Sequence, residues 1–155
     1  MPSPLWTDTS NGTDHIGLTG GMLWVYDNAE NEITRIKTRN YTYDLQFSPD
    51  GKRFVTRSNE GILAIYDLET FSLIKKFRYG KASDPHDQNF AFSKDGKLLY
   101  IIVYTFDKKI DGPNLWIDVY EMENFTLVKS LFKGVEDFCP DTIEREENTD
   151  NFYVL

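Results

Sequence analysis

Cysteine is nearly absent from the 155-residue chain, in which Cys139 is the only one. An internal disulfide therefore cannot form, and this is compatible with a reducing compartment, so we expect a cytoplasmic protein. The sequence also lacks any stretch that approaches the ~20 apolar residues needed to span a bilayer. No apolar run follows a basic start near residue 1, so the sequence predicts neither a secretory signal nor a membrane-spanning segment.

Positive charge is also scarce, because 17 lysines and arginines face 25 aspartates and glutamates and leave a net charge of −8. The excess is concentrated in residues 134–155, where seven acidic residues face Arg145 alone. An acidic surface repels phosphate backbones and anionic lipid, so we expect neither a nucleic acid nor a membrane as the main partner. The acidic run itself is most simply interpreted as a solvated loop.

Aromatic residues, in contrast, make up 15% of the chain, and a motif recurs along it. Aromatic side chains fit the half-buried surface of a pleated sheet, which favours strands over helices. Phe47–Lys52 (Phe-Ser-Pro-Asp-Gly-Lys) returns 45 residues later as Phe92–Lys97, and a weaker copy follows at Phe138–Asp141. A second landmark occurs three times, at Leu23–Asp27, Leu63–Asp67 and Ile117–Glu121. A fixed period of this length is the signature of a repeat architecture.

Each copy of the repeat predicts four short strands. The residues Ser-Pro-Asp-Gly after Phe47 supply the backbone angles of a hairpin turn. Three strands are then predicted in the second copy, at Arg53–Arg57, Ile62–Tyr66 and Ser72–Phe77. Connections of a few residues force such strands into an antiparallel meander. Leu98–Tyr104 is apolar on both faces and predicts a strand covered on both sides, whereas Leu73–Arg78 mixes in charge and predicts an exposed outer strand.

The distances between landmarks extend the pattern to an earlier copy and locate an insertion. Trp6 precedes Tyr26 by 20 residues, about the distance from Phe47 to Tyr66, so we assign Trp6 to the first-strand position of the earlier copy, the position that Phe47 has in the second. In the third copy the corresponding distance is nine residues longer, which predicts an insertion within Thr105–Asn114.

The motif Phe-Ser-Pro-Asp-Gly-Lys, followed by a strand and then Ile65-Tyr66-Asp67, resembles the repeat of WD40-like β-propellers, including the YVTN-type and quinoprotein-dehydrogenase-like groups. The resemblance covers Trp6–Leu155 and implies an all-β chain of β-propeller blades, each a four-stranded antiparallel meander. Tyr66-Asp67 stands where a strict WD40 repeat has Trp-Asp, and no Gly-His pair precedes a first strand. The hydrogen-bonded tetrad of strict WD40 blades is therefore not carried over.

The sequence predicts about three and a half blades that form part of a larger propeller, because propellers close with ~4–8 blades of ~40–45 residues. The blades would span about residues 2–40, 41–84 and 86–133, and a fourth would start at about 134–155. The sequence stops within the apolar run Asn151–Leu155, so we expect a truncated chain or partial gene product. A half-propeller that self-associates through open blade edges and a compact four-bladed closure are the alternatives.

Two connections contain the candidate binding residues. The connection between the second and third blades offers possible acid–base or metal-binding groups, Asp84, His86 and Asp87, although a zinc site needs more ligands at better spacing. The insertion offers Asp107, Lys108, Lys109 and Asp111, and loops that depart from the rule of their scaffold often carry binding. Its carboxylates lack the ligand ladder of a calcium loop. The plainer interpretation of both segments is a solvated surface loop.

The sequence contains no Gly-rich phosphate loop and no Gly-x-Ser-x-Gly elbow, and we expect no catalytic residue, metal or cofactor. Cys139 is expected to be a small buried residue. We therefore expect a non-enzymatic WD40-like module that acts as a protein–protein interaction scaffold with a protein partner. The alternative is a fragment of a propeller enzyme of the lactonase or quinoprotein-dehydrogenase type, whose functional residues the resemblance would place around the central channel. A structural module within a larger multidomain chain is a third interpretation.

Overall fold

The computed structural model describes residues 7–12, 14–19, 21–38, 42–58, 60–79, 89–104 and 114–155. The described residues form strands and turns and no helix. The first two sheets are built from β1 Thr7–Ser10, β2 Asp14–Thr19, β3 Met22–Asp27, β4 Glu32–Lys37, β5 Thr42–Phe47, β6 Arg53–Ser58, β7 Ile62–Asp67 and β8 Leu73–Arg78. The remaining strands are β9 Phe90–Phe92, β10 Leu98–Tyr104, β11 Leu115–Glu121, β12 Thr126–Leu131, β13 Ile143–Arg145 and β14 Phe152–Val154.

The strands form four sheets, each a meander in sequence order. The first three sheets have four strands, in the orders β1-β2-β3-β4, β5-β6-β7-β8 and β9-β10-β11-β12, and the last sheet is the hairpin β13-β14. Neighbouring strands run antiparallel, as connections of a few residues require. The predicted all-β fold of four-stranded antiparallel blades is therefore confirmed.

Strand register aligns the three complete sheets with one another. Three positions lie side by side across the first three strands of each sheet: Ser10, His15 and Tyr26 in the first, Phe47, Phe54 and Tyr66 in the second, and Phe92, Leu99 and Tyr120 in the third. The position assigned to Trp6 therefore belongs to Ser10, and that assignment was wrong. The hairpin between β1 and β2 is shorter than its counterparts. Counting 20 residues back from Tyr26 therefore reached Trp6, upstream of Ser10. Trp6 itself lies outside the described residues.

The fourth hairpin also differs from the sequence interpretation, which placed its repeat motif at Phe138–Asp141. Arg145 pairs with Phe152 across the hairpin, at the same seven-residue spacing as Phe47 with Phe54 and Phe92 with Leu99. The repeat position therefore belongs to Arg145. Phe138 precedes the strand and instead stacks on Phe132, with ring centroids 4.5 Å apart. The pattern Phe-x-Pro-Asp at Phe138 matches that at Phe47, but the match does not determine which residues pair across the hairpin.

The hairpin turns after β5 and β9 share one hydrogen-bond arrangement. Ser48 Oγ donates to Asp50 Oδ1 at 2.6 Å and accepts from the backbone N–H of Arg53 at 3.0 Å. The third sheet repeats the arrangement with Ser93 and Asp95. Gly51 has a φ of 69°, a left-handed value that glycine adopts readily. The sequence prediction of these turns rested on the same residues.

Burial falls from the inner strands to the outer strand of each sheet. β6 is almost wholly buried and β7 and β10 are mostly buried, whereas β8 and β12 are mostly exposed. This confirms the expected covered strand at Leu98–Tyr104 and the exposed outer strand at Leu73–Arg78. Cys139 is exposed, so the expectation that it would be a small buried residue was wrong.

The chain divides into two compact units, Met1–Phe77 and Arg78–Leu155. The core of the first unit joins β3 to the second sheet through Leu23 and Val25, which cluster with Leu45, Phe54 and Tyr66. The Phe54 ring stacks on the Tyr66 ring at a centroid distance of 4.9 Å. In the second unit, a separate cluster joins the third sheet to β13 through residues that include Ile102, Ile117 and Ile143.

Candidate functional site

The candidate binding residues of the sequence analysis all fall in two segments, 80–88 and 105–113, that lie outside the described residues. Asp84, His86 and Asp87 belong to the first segment, and Asp107, Lys108, Lys109 and Asp111 belong to the second. Their role stays a prediction. The described residues that flank the two segments nevertheless show where each segment joins the third sheet.

Both segments join the third sheet at one edge. Segment 80–88 leads into β9, whose neighbour Asn89 accepts a hydrogen bond through its carbonyl oxygen from the Ile102 amide at 2.8 Å. Segment 105–113 connects β10 to β11, and it begins and ends beside the paired residues Tyr104 and Leu115. Because neighbouring strands alternate in direction, the start of β9 and the end of β10 meet at the same side. We call this side, marked by Asn89, Tyr104 and Asn114, the loop edge.

Two buried amide oxygens mark the loop edge. Asn89 is 3% exposed, and its Oδ1 atom is buried without a hydrogen-bond partner in the described part of the chain. Asn114 Oδ1, next to segment 105–113, is also buried and also has no hydrogen-bond partner in the described part of the chain. A buried acceptor that lacks a donor costs on the order of 1–3 kcal/mol. The Asn89 and Asn114 side-chain oxygens therefore leave their acceptor capacity unused at the loop edge.

A buried polar network ties β11 to β12 within the same sheet. Trp116 Nε1 donates to Asp118 Oδ1 at 2.9 Å, and Ser130 Oγ donates to the same oxygen at 2.5 Å. The Lys133 ammonium lies 4.6 Å from the centroid of the Trp116 ring. Two donors fix the position of the Asp118 carboxylate oxygen, so the network links β11 to β12 and has a structural role.

Tyr120 lies two positions after Asp118 and is buried. Burial, followed by the nearby Asp118 carboxylate and Tyr79, raises the pKa of Tyr120 to about 12. The Tyr120 hydroxyl therefore stays protonated through the physiological range. It is suited to donating a hydrogen bond and unsuited to acting as a general base.

The acidic segment is largely exposed, as the interpretation of a solvated loop predicts, and one of its carboxylates orders the turn of the fourth hairpin. The Glu146 carboxylate accepts hydrogen bonds from Thr149 Oγ1 at 2.9 Å, Asn151 Nδ2 at 2.8 Å and the Tyr153 hydroxyl at 3.0 Å. These donors, Asn151 first, lower the pKa of Glu146. The turn therefore uses its carboxylate to close the hairpin.

Within the described ranges, no group of three or more His, Cys, Asp or Glu side chains is placed to hold a metal ion. No helix among the described residues has the length and apolar character of a membrane span.

Comparisons with known proteins bear on the identity of the repeat. No protein-family model matches the chain. Over 59 residues it is 34% identical to the guanine nucleotide-binding protein subunit beta of Solanum tuberosum, and the protein of that name from Nicotiana tabacum matches equally well. The aligned segment is 37% of this chain and 16% of each relative.

Two solved structures share the fold over nearly the whole chain. The WD40 domain of Toxoplasma gondii coronin superposes with a TM-score of 0.74 at 9% identity, covering 96% of this chain and 38% of that one. This chain carries WD40-like β-propeller repeats. The hydrazine synthase of Kuenenia stuttgartiensis superposes with a TM-score of 0.71 at 17% identity, covering 99% of this chain and 43% of that one. Likeness at such low identity shows the WD40-like propeller fold and nothing about activity.

Asn89, Asn114 and the network around Asp118 are not among the residues that the sequence predicted. The recurrent motif lies in the turns at the opposite side of each sheet. Single polar residues next to long apolar strands do not recur with the repeat, so no periodic pattern predicts them. Trp116 and Asp118 could have been found, because residues two apart on a strand share a face and this pair can hydrogen-bond.

Proposed function

We propose that this WD40-like module is a non-enzymatic protein–protein interaction scaffold, and that the loop edge of the third sheet is its contact surface. The observation that carries the proposal is topological. The two segments that hold the candidate binding residues both join the sheet at the loop edge, where the buried Asn89 and Asn114 side-chain oxygens have no hydrogen-bond partner among the described residues. Irregular loops held by a rigid scaffold are the usual place for binding residues.

Two further observations support the proposal. The curated relatives are named as subunits, and a subunit by definition assembles with other chains. The surface is acidic overall, with a net charge of −8, which favours a protein partner over nucleic acid or an anionic membrane. The exposed thiol of Cys139 supports a reducing, cytoplasmic setting as part of the same proposal.

Site-specific cross-linking followed by affinity measurement tests the proposal. A photoreactive p-benzoylphenylalanine is placed at position 108, in the insertion, or at position 97, in the turn at the opposite edge of the third sheet. A discrete protein cross-linked from position 108 and not from position 97 is identified, purified and titrated against the unmodified chain. We expect the triple variant Lys108→Ala/Lys109→Ala/Asp111→Ala to weaken its binding by at least about tenfold.

The matched control is Lys94→Ala/Lys97→Ala, which also removes lysine side chains, at exposed positions on the opposite edge. This control should bind the partner with the affinity of the wild type. Failure to obtain a discrete cross-link from position 108 would overturn the proposal, as would equal affinities for the triple variant and the control.

A further inference from the structure

The connection between β12 and β13 spans residues 132–142, all of which the structure describes. It leaves β12 on the same side of the third sheet as the loop edge, because Leu131 at the end of β12 pairs with Ile117 near the start of β11. It contains none of the residues that mark the loop edge, so a ligand bound here does not depend on the function proposed there. Its ends are anchored, since Leu131 and Phe138 pack against the core cluster of the second unit and Pro140 is buried.

Two large apolar side chains are exposed between these anchors. Phe132 is 49% exposed and Val135 is 45% exposed. The Val135 amide donates to the Phe132 carbonyl oxygen at 3.2 Å, so the two residues belong to one turn. The Phe132 ring stacks on Phe138, and this contact covers only part of the side chain. Single exposed apolar residues are common on protein surfaces, whereas clustered ones indicate an interaction site.

The backbone of the connection is left-handed at two residues other than glycine, with a φ of 60° at Phe132 and 65° at Asp137. Such values are uncommon, and for a bulky residue such as phenylalanine they cost free energy. Asparagine adopts them more readily, so backbone geometry does not account for an aromatic residue at position 132. Strained residues concentrate at binding sites, which makes the exposed part of the Phe132 ring a candidate contact.

Negative charge flanks the exposed apolar residues. Glu136 and Asp137 follow Val135 directly, and both are exposed. Neither carboxylate has a hydrogen bond or an ion pair within the described ranges. Lys133 is the only lysine or arginine of the connection, and its ammonium lies 4.6 Å from the centroid of the Trp116 ring. We define the connection patch as the exposed residues Phe132, Val135, Glu136 and Asp137.

We propose that the connection patch binds a basic segment of a partner protein, one that combines arginine or lysine with large apolar residues. The apolar residues of such a segment pack on Phe132 and Val135, and its cations pair with Glu136 and Asp137. An arginine guanidinium pairs with carboxylates and also stacks on aromatic rings, and the connection patch offers both.

Charge separates this occupant from the alternatives. In a symmetric dimer the connection patch would meet its own copy, and the acidic residues of the two copies would repel one another. Nucleic acid and anionic membranes carry the same sign of charge as the patch. A basic protein segment is the occupant whose charge complements Glu136 and Asp137.

Selection from a phage-displayed library of random short peptides tests the inference. The library is selected on the full chain and counter-selected on the double variant Phe132→Asn/Val135→Ser, so that the recovered peptides depend on the connection patch. Asparagine adopts a positive φ readily and both replaced side chains are half exposed, so the variant should fold with the circular dichroism spectrum of the wild type. We expect the recovered peptides to be rich in arginine or lysine and to contain large apolar residues.

Titration of a recovered peptide, followed by fluorescence anisotropy, tests the role of the carboxylates. The double variant Glu136→Gln/Asp137→Asn should weaken binding by at least about tenfold, because it removes both charge pairs. The matched control Glu123→Gln/Glu147→Gln changes the net charge by the same amount at exposed residues in the turns after β11 and β13, and it should bind as the wild type does.

The inference is overturned if no peptide survives the counter-selection, or if the recovered peptides carry no excess of positive charge. It is equally overturned if Glu136→Gln/Asp137→Asn binds with wild-type affinity, or if the control weakens binding as much. A dimer of the wild type that Phe132→Asn/Val135→Ser does not form, detected by light scattering, would assign the connection patch to a second copy and would also overturn it.

Discussion

At the scale of single residues, carboxylates recur at the turn between the third and fourth strands of each sheet. Asp67 Oδ1 accepts hydrogen bonds from the backbone N–H groups of Glu69 at 2.9 Å and Thr70 at 2.8 Å. Asp27 and Glu121 occupy the same position in the first and third sheets and accept corresponding bonds. The carboxylate that follows the recurrent tyrosine in each sheet therefore closes the turn after the third strand through hydrogen bonds.

These hydrogen bonds give a pH dependence to stability. The backbone N–H of Thr70, then its hydroxyl, lower the pKa of Asp67 below its ordinary value of 3.8. A carboxyl whose pKa is lower in the folded state stabilises the fold above the unfolded-state pKa, and this stability is lost as the pH falls through the folded-state pKa. We expect Asp67→Asn to lose less stability than the wild type between about pH 5 and pH 3, measured by urea denaturation.

Glu69→Gln is the control, because Glu69 is exposed on the same turn and its side chain makes none of these hydrogen bonds. It should lose stability on acidification as the wild type does. Identical pH profiles for Asp67→Asn and the wild type would show that Asp67 does not couple the turn to pH.

At the scale of elements, the fourth hairpin keeps the geometry of its counterparts with different chemistry. The backbone N–H of Glu146 donates to Asn151 O at 2.8 Å, as Ser48 does to Arg53 and Ser93 to Leu98. The serine–aspartate pair of the other turns is replaced by the Glu146 carboxylate. The spacing of seven residues between paired positions is thus common to the three turns, while the residues that close them differ.

Arg145 anchors the fourth hairpin to its neighbouring strand. Its Nε atom donates to the Phe92 carbonyl oxygen at 3.0 Å, and Nη1 donates to the carbonyl oxygens of Glu146 and Thr149 at 3.1 and 2.8 Å. Lysine cannot reproduce this fork. We expect Arg145→Lys to speed hydrogen exchange of the Glu146 and Leu155 amides by at least about fivefold, as measured by NMR.

The comparison variant for this element is Arg35→Lys, which changes an exposed arginine paired with Glu32 on β4. It should leave exchange in the fourth hairpin unchanged. Equal exchange rates in Arg145→Lys and the wild type would contradict the anchoring role.

At the scale of the whole molecule, stability comes from sheets that cover one another within each unit. Single four-stranded sheets leave an apolar face open, so the repeat is stable only where a neighbour packs on it. In the first unit this packing centres on Phe54, which is fully buried among residues of two sheets. In the second unit the hairpin β13-β14 covers part of the third sheet, and Tyr100 packs on Phe152 at 4.2 Å.

Phe54→Ala tests the contribution of this packing. The substitution removes a ring that stacks on Tyr66 and should lower the free energy of unfolding by about 3–5 kcal/mol, measured by urea denaturation. Ile74→Ala, on the exposed outer strand β8, should change it by no more than about 0.5 kcal/mol. Similar losses for the two variants would mean that the first unit does not depend on the contact between its sheets.

The repeat, the strands and the main turns follow from the order of amino acids alone. Leu98–Tyr104 has the predicted bounds, and Gly51 and Gly96, the glycines of the recurrent turn motif, have positive φ. These features depend on chemistry within a few residues of chain. Alternating apolar residues, a turn glycine and a capping carboxylate each act on their immediate neighbours.

Features that depend on register and on packing between sheets become visible only in the folded chain. Register assigned the repeat positions to Ser10 and Arg145, where the distance between landmarks had suggested Trp6 and the motif had suggested Phe138. Packing left Cys139 exposed and brought Ser130 within hydrogen-bond distance of Asp118. The physical reason is that a side chain's partner across a sheet lies many residues away, and its identity follows from strand pairing that no local pattern encodes.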